Sequence, residues 1–187
     1  QQKSRPGAIT ARDGTVLPTG VQLGLGVRPA AISVNVEQGA LAASSGDLDL
    51  AIEGLGYLEV RLPSGQSAFT RDGSLKRNFD GLVVTSDGHA LVPEIVIPED
   101  ARAISISSDG MINITFAETS ESLLLGQFTL AGFSNNKGLE ALGGNLFLPS
   151  PASGPPLTAA PGQGGLGLLR QGYLEESSVD AVREITE

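Results

Sequence analysis

The chain has 187 residues, a formal net charge of −9 at pH 7, 25 glycines, 11 prolines, no cysteine and no tryptophan, and aromatic residues make up only 4%. That length holds one sizeable core, or one domain with extended arms, and the lack of cysteine excludes a disulfide framework, thiol catalysis and a cysteine-ligated metal. The charge is uneven: residues 1–30 carry Lys3, Arg5, Arg12 and Arg28 against Asp13 alone, a balance of +3 that leaves −12 on residues 31–187, and so acidic a body repels a phosphate backbone and argues against nucleic acid as a partner.

Residues 1–20 have no apolar periodicity and several turn residues, Pro6-Gly7, Asp13-Gly14, Pro18 and Gly20, which predicts an extended arm. Val21, Leu23, Leu25 and Val27 then alternate, as do Ile32, Val34 and Val36, the period of strands with one buried face. Gly24 and Gly26 leave the opposite face without side chains, so another backbone can approach there. A small-residue linker, GALAASSG, leads to Leu48, Leu50 and Ile52, which alternate with Asp47, Asp49, Ala51 and Glu53. The Gly54-Leu55-Gly56 break admits a second strand from Tyr57 to Leu62.

The most regular stretch runs from Asp49 to Pro98. Its three Asp-Gly pairs, Asp72-Gly73, Asp80-Gly81 and Asp87-Gly88, are separated by short alternating runs. Asp-Gly supplies the positive φ of tight turns, so a ladder of antiparallel hairpins is expected. Asp109-Gly110 predicts one further hairpin, with Ile104 and Ile106 on one strand and Ile112, Ile114 and Phe116 on the other. Leu123–Phe133 is the most apolar segment and reads as a central core strand. Residues 149–167 are rich in Pro and Gly and carry no charge, which suggests a surface loop or an arm laid over something else. Ser177 with Asp180 caps a helix on which Val179, Val182 and Ile185 share one face. The expected fold is thus mainly β, an antiparallel, hairpin-rich sandwich or irregular barrel with an extended amino-terminal arm and the start of a carboxy-terminal helix. The expected division is 1–48 for the arm and connecting strands, 49–148 for the β-rich core, and 149–187 for the Pro/Gly loop, return strand and helix start.

No motif points to catalysis, a cofactor or a metal. Gly162-x-Gly164-x-x-Gly167 has the letters of a dinucleotide loop but lacks the strand before and helix after that such a loop needs. His89 is the sole histidine, with no partners in sequence for a metal site or triad. Asp47, Asp49 and Glu53 do not have calcium-loop spacing and fall on the expected solvent side of their strand. Asn113-Ile114-Thr115, a glycosylation acceptor in letters, sits inside a predicted strand. No run of eighteen apolar residues is present, so direct membrane insertion by a helix is not expected. Few aromatics argue against a stacked glycan surface, and a glycan-binding periplasmic β-domain stands as the alternative from a different class.

Ordered landmarks span most of the chain: Leu17-Pro18-x-Gly20-Val21-Gln22-x-Gly24-x-Gly26-Val27-Arg28-Pro29, Gly54-x-Gly56-Tyr57, Leu62-Pro63-x-Gly65, Phe69-Thr70-Arg71-Asp72-Gly73-Ser74, Gly81-Leu82-Val83-Val84-Thr85, Pro93-x-Ile95-x-Ile97-Pro98, Gly126-Gln127-Phe128, Gly138-Leu139-Glu140 and Gln171-Gly172-Tyr173-Leu174-Glu175. In these the chain resembles the flagellar rod and hook family of bacteria, and Val27-Arg28-Pro29 favours its distal-rod branch over the shorter proximal proteins or the hook. The resemblance implies a non-enzymatic, self-assembling structural subunit of the periplasmic drive shaft. It also implies export by the flagellar type III apparatus without a cleaved signal peptide, and a core fragment lacking the family's terminal helices. The partners implied are copies of itself in a helical tube, the other axial proteins of proximal rod and hook, and the surrounding ring proteins. Candidate contacts between subunits are Arg5, Arg12, Gly24, Gly26, Arg28, Val179, Val182 and Ile185.

Overall fold

The computed structural model describes residues 38–176. The expected arm, the alternating strands of residues 21–36 and the helix start after Glu176 lie outside the described residues, as do all eight candidate contact residues. What is described is antiparallel β-structure in short strands. In chain order these are β1 (Leu41–Ala43), β2 (Leu50–Glu53), β3 (Leu58–Arg61), β4 (Ser67–Thr70), β5 (Leu75–Arg77), β6 (Val83–Thr85), β7 (Ala90–Val92) and β8 (Ala101–Ile106), then β9 (Met111–Phe116), β10 (Ser122–Gln127), β11 (Leu130–Gly132), β12 (Glu140–Gly143), β13 (Leu146–Leu148), β14 (Leu157–Ala159), β15 (Leu168–Gln171) and β16 (Tyr173–Glu175). The largest sheet has seven strands in the order β12-β13-β4-β3-β7-β6-β5; a second has the order β10-β9-β8; and β1-β16, β2-β15 and β11-β14 form two-stranded ribbons. The β-rich expectation holds, with several open sheets in place of a closed barrel.

Four hairpin turns repeat one design. Gly65 donates its N–H to Leu62 and Leu62 donates to Gln66; the same pair of bonds joins Asn78 with Gly81 and Leu82, Thr85 with Gly88 and His89, and Ser107 with Gly110 and Met111. In each, the glycine alone has positive φ, between 86° and 93°. These are three-residue loops in which a type I turn is followed by a left-handed glycine that forms a bulge. Aspartate in three of them occupies the ordinary right-handed position before the glycine.

Asp72-Gly73 departs from this design and corrects the expected ladder. β4 pairs with β3 and β13, whereas β5 pairs with β6, so no hairpin joins β4 to β5. Gly73 is absent from the residues with positive φ; it is buried because β2 crosses over it. Leu50 donates its N–H to the Gly73 carbonyl at 3.0 Å, and a β-carbon on Gly73 would stand 1.8 Å from the Leu50 carbonyl oxygen. This glycine is there for close approach of two backbones.

The core follows from the alternation of these strands. Leu50, Ile52, Leu58, Val60, Leu91, Ile97, Ile112, Ile114, Phe128, Leu130 and Leu169 form one continuous buried cluster. β4 is covered on both faces: Ala68 joins that cluster, while Phe69 joins Tyr57 and Ala131 in a second one. There Phe69 meets Phe133 edge-on at 5.1 Å, and Tyr57 meets Phe133 and Phe147 at 5.9 Å each.

Four further expectations are corrected. Leu123–Phe133 is two strands with a break, and its first part, β10, is an edge strand whose Leu123 and Leu124 are exposed; apolar content alone does not tell an edge from a centre. GALAASSG is no free linker, since β1 lies within it and pairs with β16. Residues 149–167 contain β14, held on β11, which supplies the structure that composition did not show. Ala51 is buried where the alternation placed it toward solvent, and Asp49 is half-buried, accepting from the Ser44 hydroxyl and from the Gly46 N–H at 3.1 Å.

Candidate functional site

Three of the landmarks that are far apart in sequence, Gly54-x-Gly56, Arg71 and Glu175, converge where the described residues begin and end. Entry strand β1 lies antiparallel to exit strand β16, with Leu41 opposite Glu175 and Ala43 opposite Tyr173. Glu176 donates its N–H to Ala40 at 2.8 Å and Ser44 donates to Gly172 at 2.7 Å, so the first and last described strands lie side by side.

Arg71 sits beneath this pair of strands. Its Nε donates to Glu175 Oε1 and one terminal nitrogen to Glu175 Oε2, each at 3.0 Å. The same terminal nitrogen donates to the Ile52 carbonyl at 3.1 Å, and the other to Gly54 and Gly56 carbonyls at 2.7 and 2.9 Å. All five guanidinium donors are thereby used, which a planar fork can do and an ammonium cannot. Gly54 and Gly56 have φ of 121° and 123°, a backbone open to glycine, and this turns both carbonyls toward Arg71.

Glu175 is as fully engaged. Besides Arg71, its Oε2 accepts from the Gly39 N–H and the Gln38 side chain, each at 2.7 Å, while Gln38 Oε1 accepts from the Gly54 N–H at 2.7 Å. Side-chain exposure is 21% for Arg71 and 12% for Glu175, shielded enough for the charge-assisted bonds to matter. Tyr57 packs beside the pair; burial pushes its phenol above the ordinary 10.0, Arg71 pulls it back and Glu175 adds to the rise.

Two other features flank this site. Gln171 ties the three-stranded sheet to β2: its side-chain oxygen accepts from Ile106 N–H at 2.9 Å, and its nitrogen donates to Asp47 and Ile104 carbonyls at 2.7 and 2.9 Å. Next to Gly54 an apolar groove of about 310 Å³ is lined by Leu55, Gly56, Phe133, Leu157 and Leu166 among others, with no charged residue.

The same motif-bearing stretch is matched by known proteins. The model of the flagellar hook protein FlgE/F/G D1 domain matches residues 51–114. A flagellar basal-body rod protein FlgG of Caulobacter vibrioides is 45% identical over 186 residues, covering 100% of this chain and 71% of that protein. The chain belongs to the FlgG family of flagellar basal-body rod proteins. Its FlgG relative in Bacillus subtilis is 38% identical over 89% of this chain and 64% of the relative, whereas a rod protein FlgF of Caulobacter vibrioides is 29% identical over 83% and 60%.

Gly54, Gly56, Arg71 and Glu175, from three of the motifs quoted above, are parts of a single network that no spacing in the sequence discloses. Of the residues weighed for chemistry, His89 follows a hairpin turn, where its N–H donates to Thr85 Oγ1 at 3.1 Å. Gly162 and Gly167 close a turn onto each other at 2.9 Å and lead into strand β15, with no helix following. Glu53 forms an exposed pair with Arg170 at 3.2 Å. Arg71, Glu175 and Gln38 were missed by sequence reasoning, because Glu175 lies 104 positions from Arg71 and 137 from Gln38, and residues so far apart give no local signal that they meet.

Proposed function

We propose that the chain is a structural subunit of the flagellar rod, in its distal part, winding helically with copies of itself into the shaft that carries torque from motor to hook. The observation that carries this is the 45% identity with a FlgG protein along the whole chain. The geometry supports it: the described residues are a body of short hydrogen-bonded strands whose first and last strands, β1 and β16, pair as one neck, an arrangement suited to a wall element. Identical subunits that meet through unlike surfaces wind into a helix without closing. Contacts between copies are assigned to Arg5, Arg12, Gly24, Gly26 and Arg28 on the arm and to Val179, Val182 and Ile185 beyond the neck. The partners are the proximal rod and hook proteins and the surrounding rings, in the periplasm, reached through the flagellar type III export route.

A place elsewhere in the same family, as a hook or proximal rod subunit, is disfavoured by the lower identity and coverage of FlgF. A glycan-binding role at the apolar groove is disfavoured by its lining, which offers one aromatic residue, Phe133, for stacking and no charge. The test is sedimentation velocity over a concentration series on the full-length protein, followed by electron microscopy. Tubes or fibres are expected, and loss of them on replacing Val179, Val182 and Ile185 by polar residues. Monomers under all conditions would overturn the proposal.

A further inference from the structure

The neck formed by β1 and β16 is tied to the body by side chains. Among the described residues β1 and β16 pair only with each other, over three residue pairs. A ribbon that short is marginal in water on its own. The contacts that tie it to the corner between β2 and β3 include Arg71 to Glu175, Arg71 to the Ile52, Gly54 and Gly56 carbonyls, and Gln38 to Gly54. We infer that Arg71, Glu175 and Gln38 form a latch that holds the β1-β16 neck in one orientation on the body. The latch itself follows from the geometry; its mechanical role, passing rotation into the body where a loose neck would absorb it, rests on the rod-subunit proposal.

Three features make this a latch and distinguish it from an ordinary surface ion pair. The pair is bidentate and largely shielded, which fixes orientation as well as distance. Glu175 Oε2 collects donors from Arg71, Gln38 and the Gly39 backbone, so one carboxylate binds entry strand, exit strand and body at once. The carbonyls that hold Arg71 on the body side come from Ile52, a buried residue of β2, and from Gly54 and Gly56 just after that strand, so the anchor belongs to the body and not to the neck.

The experiment is amide hydrogen exchange on the full-length protein carrying Glu175→Gln, Arg71→Lys or Gln38→Ala. Local opening sets exchange at the neck, and global unfolding sets it in the core strands. Glu175→Gln keeps the shape and removes the charge; exchange at Gly39, Ser44 and Glu176 should rise about tenfold or more, the effect of losing one good charge-assisted bond, while Val60 and Ala68 stay unchanged. Gln38→Ala, outside the core, should give a smaller rise at the same amides. Combining Arg71→Lys with Glu175→Gln should add little to either alone, since each breaks the same link. Unchanged exchange at the neck, or an equal rise at Val60 and Ala68, overturns the latch, and for variants too unstable to purify Gln38→Ala decides alone. In a host lacking its own rod protein, failure of the wild-type protein to restore swimming counts against the rod-subunit proposal. Restoration by wild type and equally by Glu175→Gln, in medium viscous enough to load the motor, overturns the mechanical role of the latch.

Discussion

Replacing Gly73 with alanine separates a turn glycine from a glycine under a crossing strand. Its β-carbon would be placed 1.8 Å from the Leu50 carbonyl oxygen and 2.8 Å from the carbonyl carbon. A carbon–oxygen contact settles at about 3.3 Å or more, so the two backbones must part by roughly 1.5 Å. The Leu50 N–H to Gly73 bond, now 3.0 Å, cannot survive that displacement. Leaving those buried groups unpaired costs about 1–3 kcal/mol, and forcing the packed strands apart costs about 1–3 kcal/mol more. The expected loss is about 2–6 kcal/mol, a large part of the stability of a domain this size. Gly88 supplies the control: its φ is 92° and a β-carbon there meets nothing within 4 Å, so Gly88→Ala should cost only the left-handed backbone penalty of about 1–2 kcal/mol. Asparagine sharpens the contrast, because it tolerates the left-handed region: Gly88→Asn should cost less than Gly88→Ala, whereas Gly73→Asn should cost at least as much as Gly73→Ala. Urea unfolding with midpoint and slope compared across the four variants reads these differences. A Gly73→Ala variant within about 0.5 kcal/mol of wild type, or Gly73→Asn milder than Gly73→Ala, would refute the crossing-strand account.

Two further outcomes test the core and the neck. Ile114, fully buried in β9, should lose about 2–5 kcal/mol on truncation to alanine, while Leu124→Ala on exposed β10 should change stability by no more than about 0.5 kcal/mol; equal losses in urea unfolding would show that the sheet edge is covered. Because burial holds the Tyr57 phenol neutral, its contribution is fully present below pH 10 and is lost as pH rises through the raised folded-state value. Thermal unfolding followed from pH 9 upward should therefore fall less steeply for Tyr57→Phe than for wild type, and parallel curves would contradict the assignment.

The sequence by itself determined the β character, most of the turns and the family. The four repeated loops were legible because a left-handed residue after a type I turn calls for glycine, a local requirement written in four residues. Ile104, Ile106, Ile112 and Ile114 were legible for a similar reason, since period-two alternation reports a one-sided burial that each strand carries in its own letters. Tertiary structure decided what depends on a second segment. Asp72-Gly73 has the same letters as Asp87-Gly88, and only the passage of β2 across Gly73 separates close approach from turning. Leu123 and Leu124 read as core because apolar content says nothing of sheet order, and β10 lies at an edge. Arg71 and Glu175 gave no signal because a charge in sequence is ordinarily a solvated one. Folding makes them a pair by bringing the entry and exit strands onto the same corner, where the carbonyls of Gly54 and Gly56 complete the guanidinium's bonds.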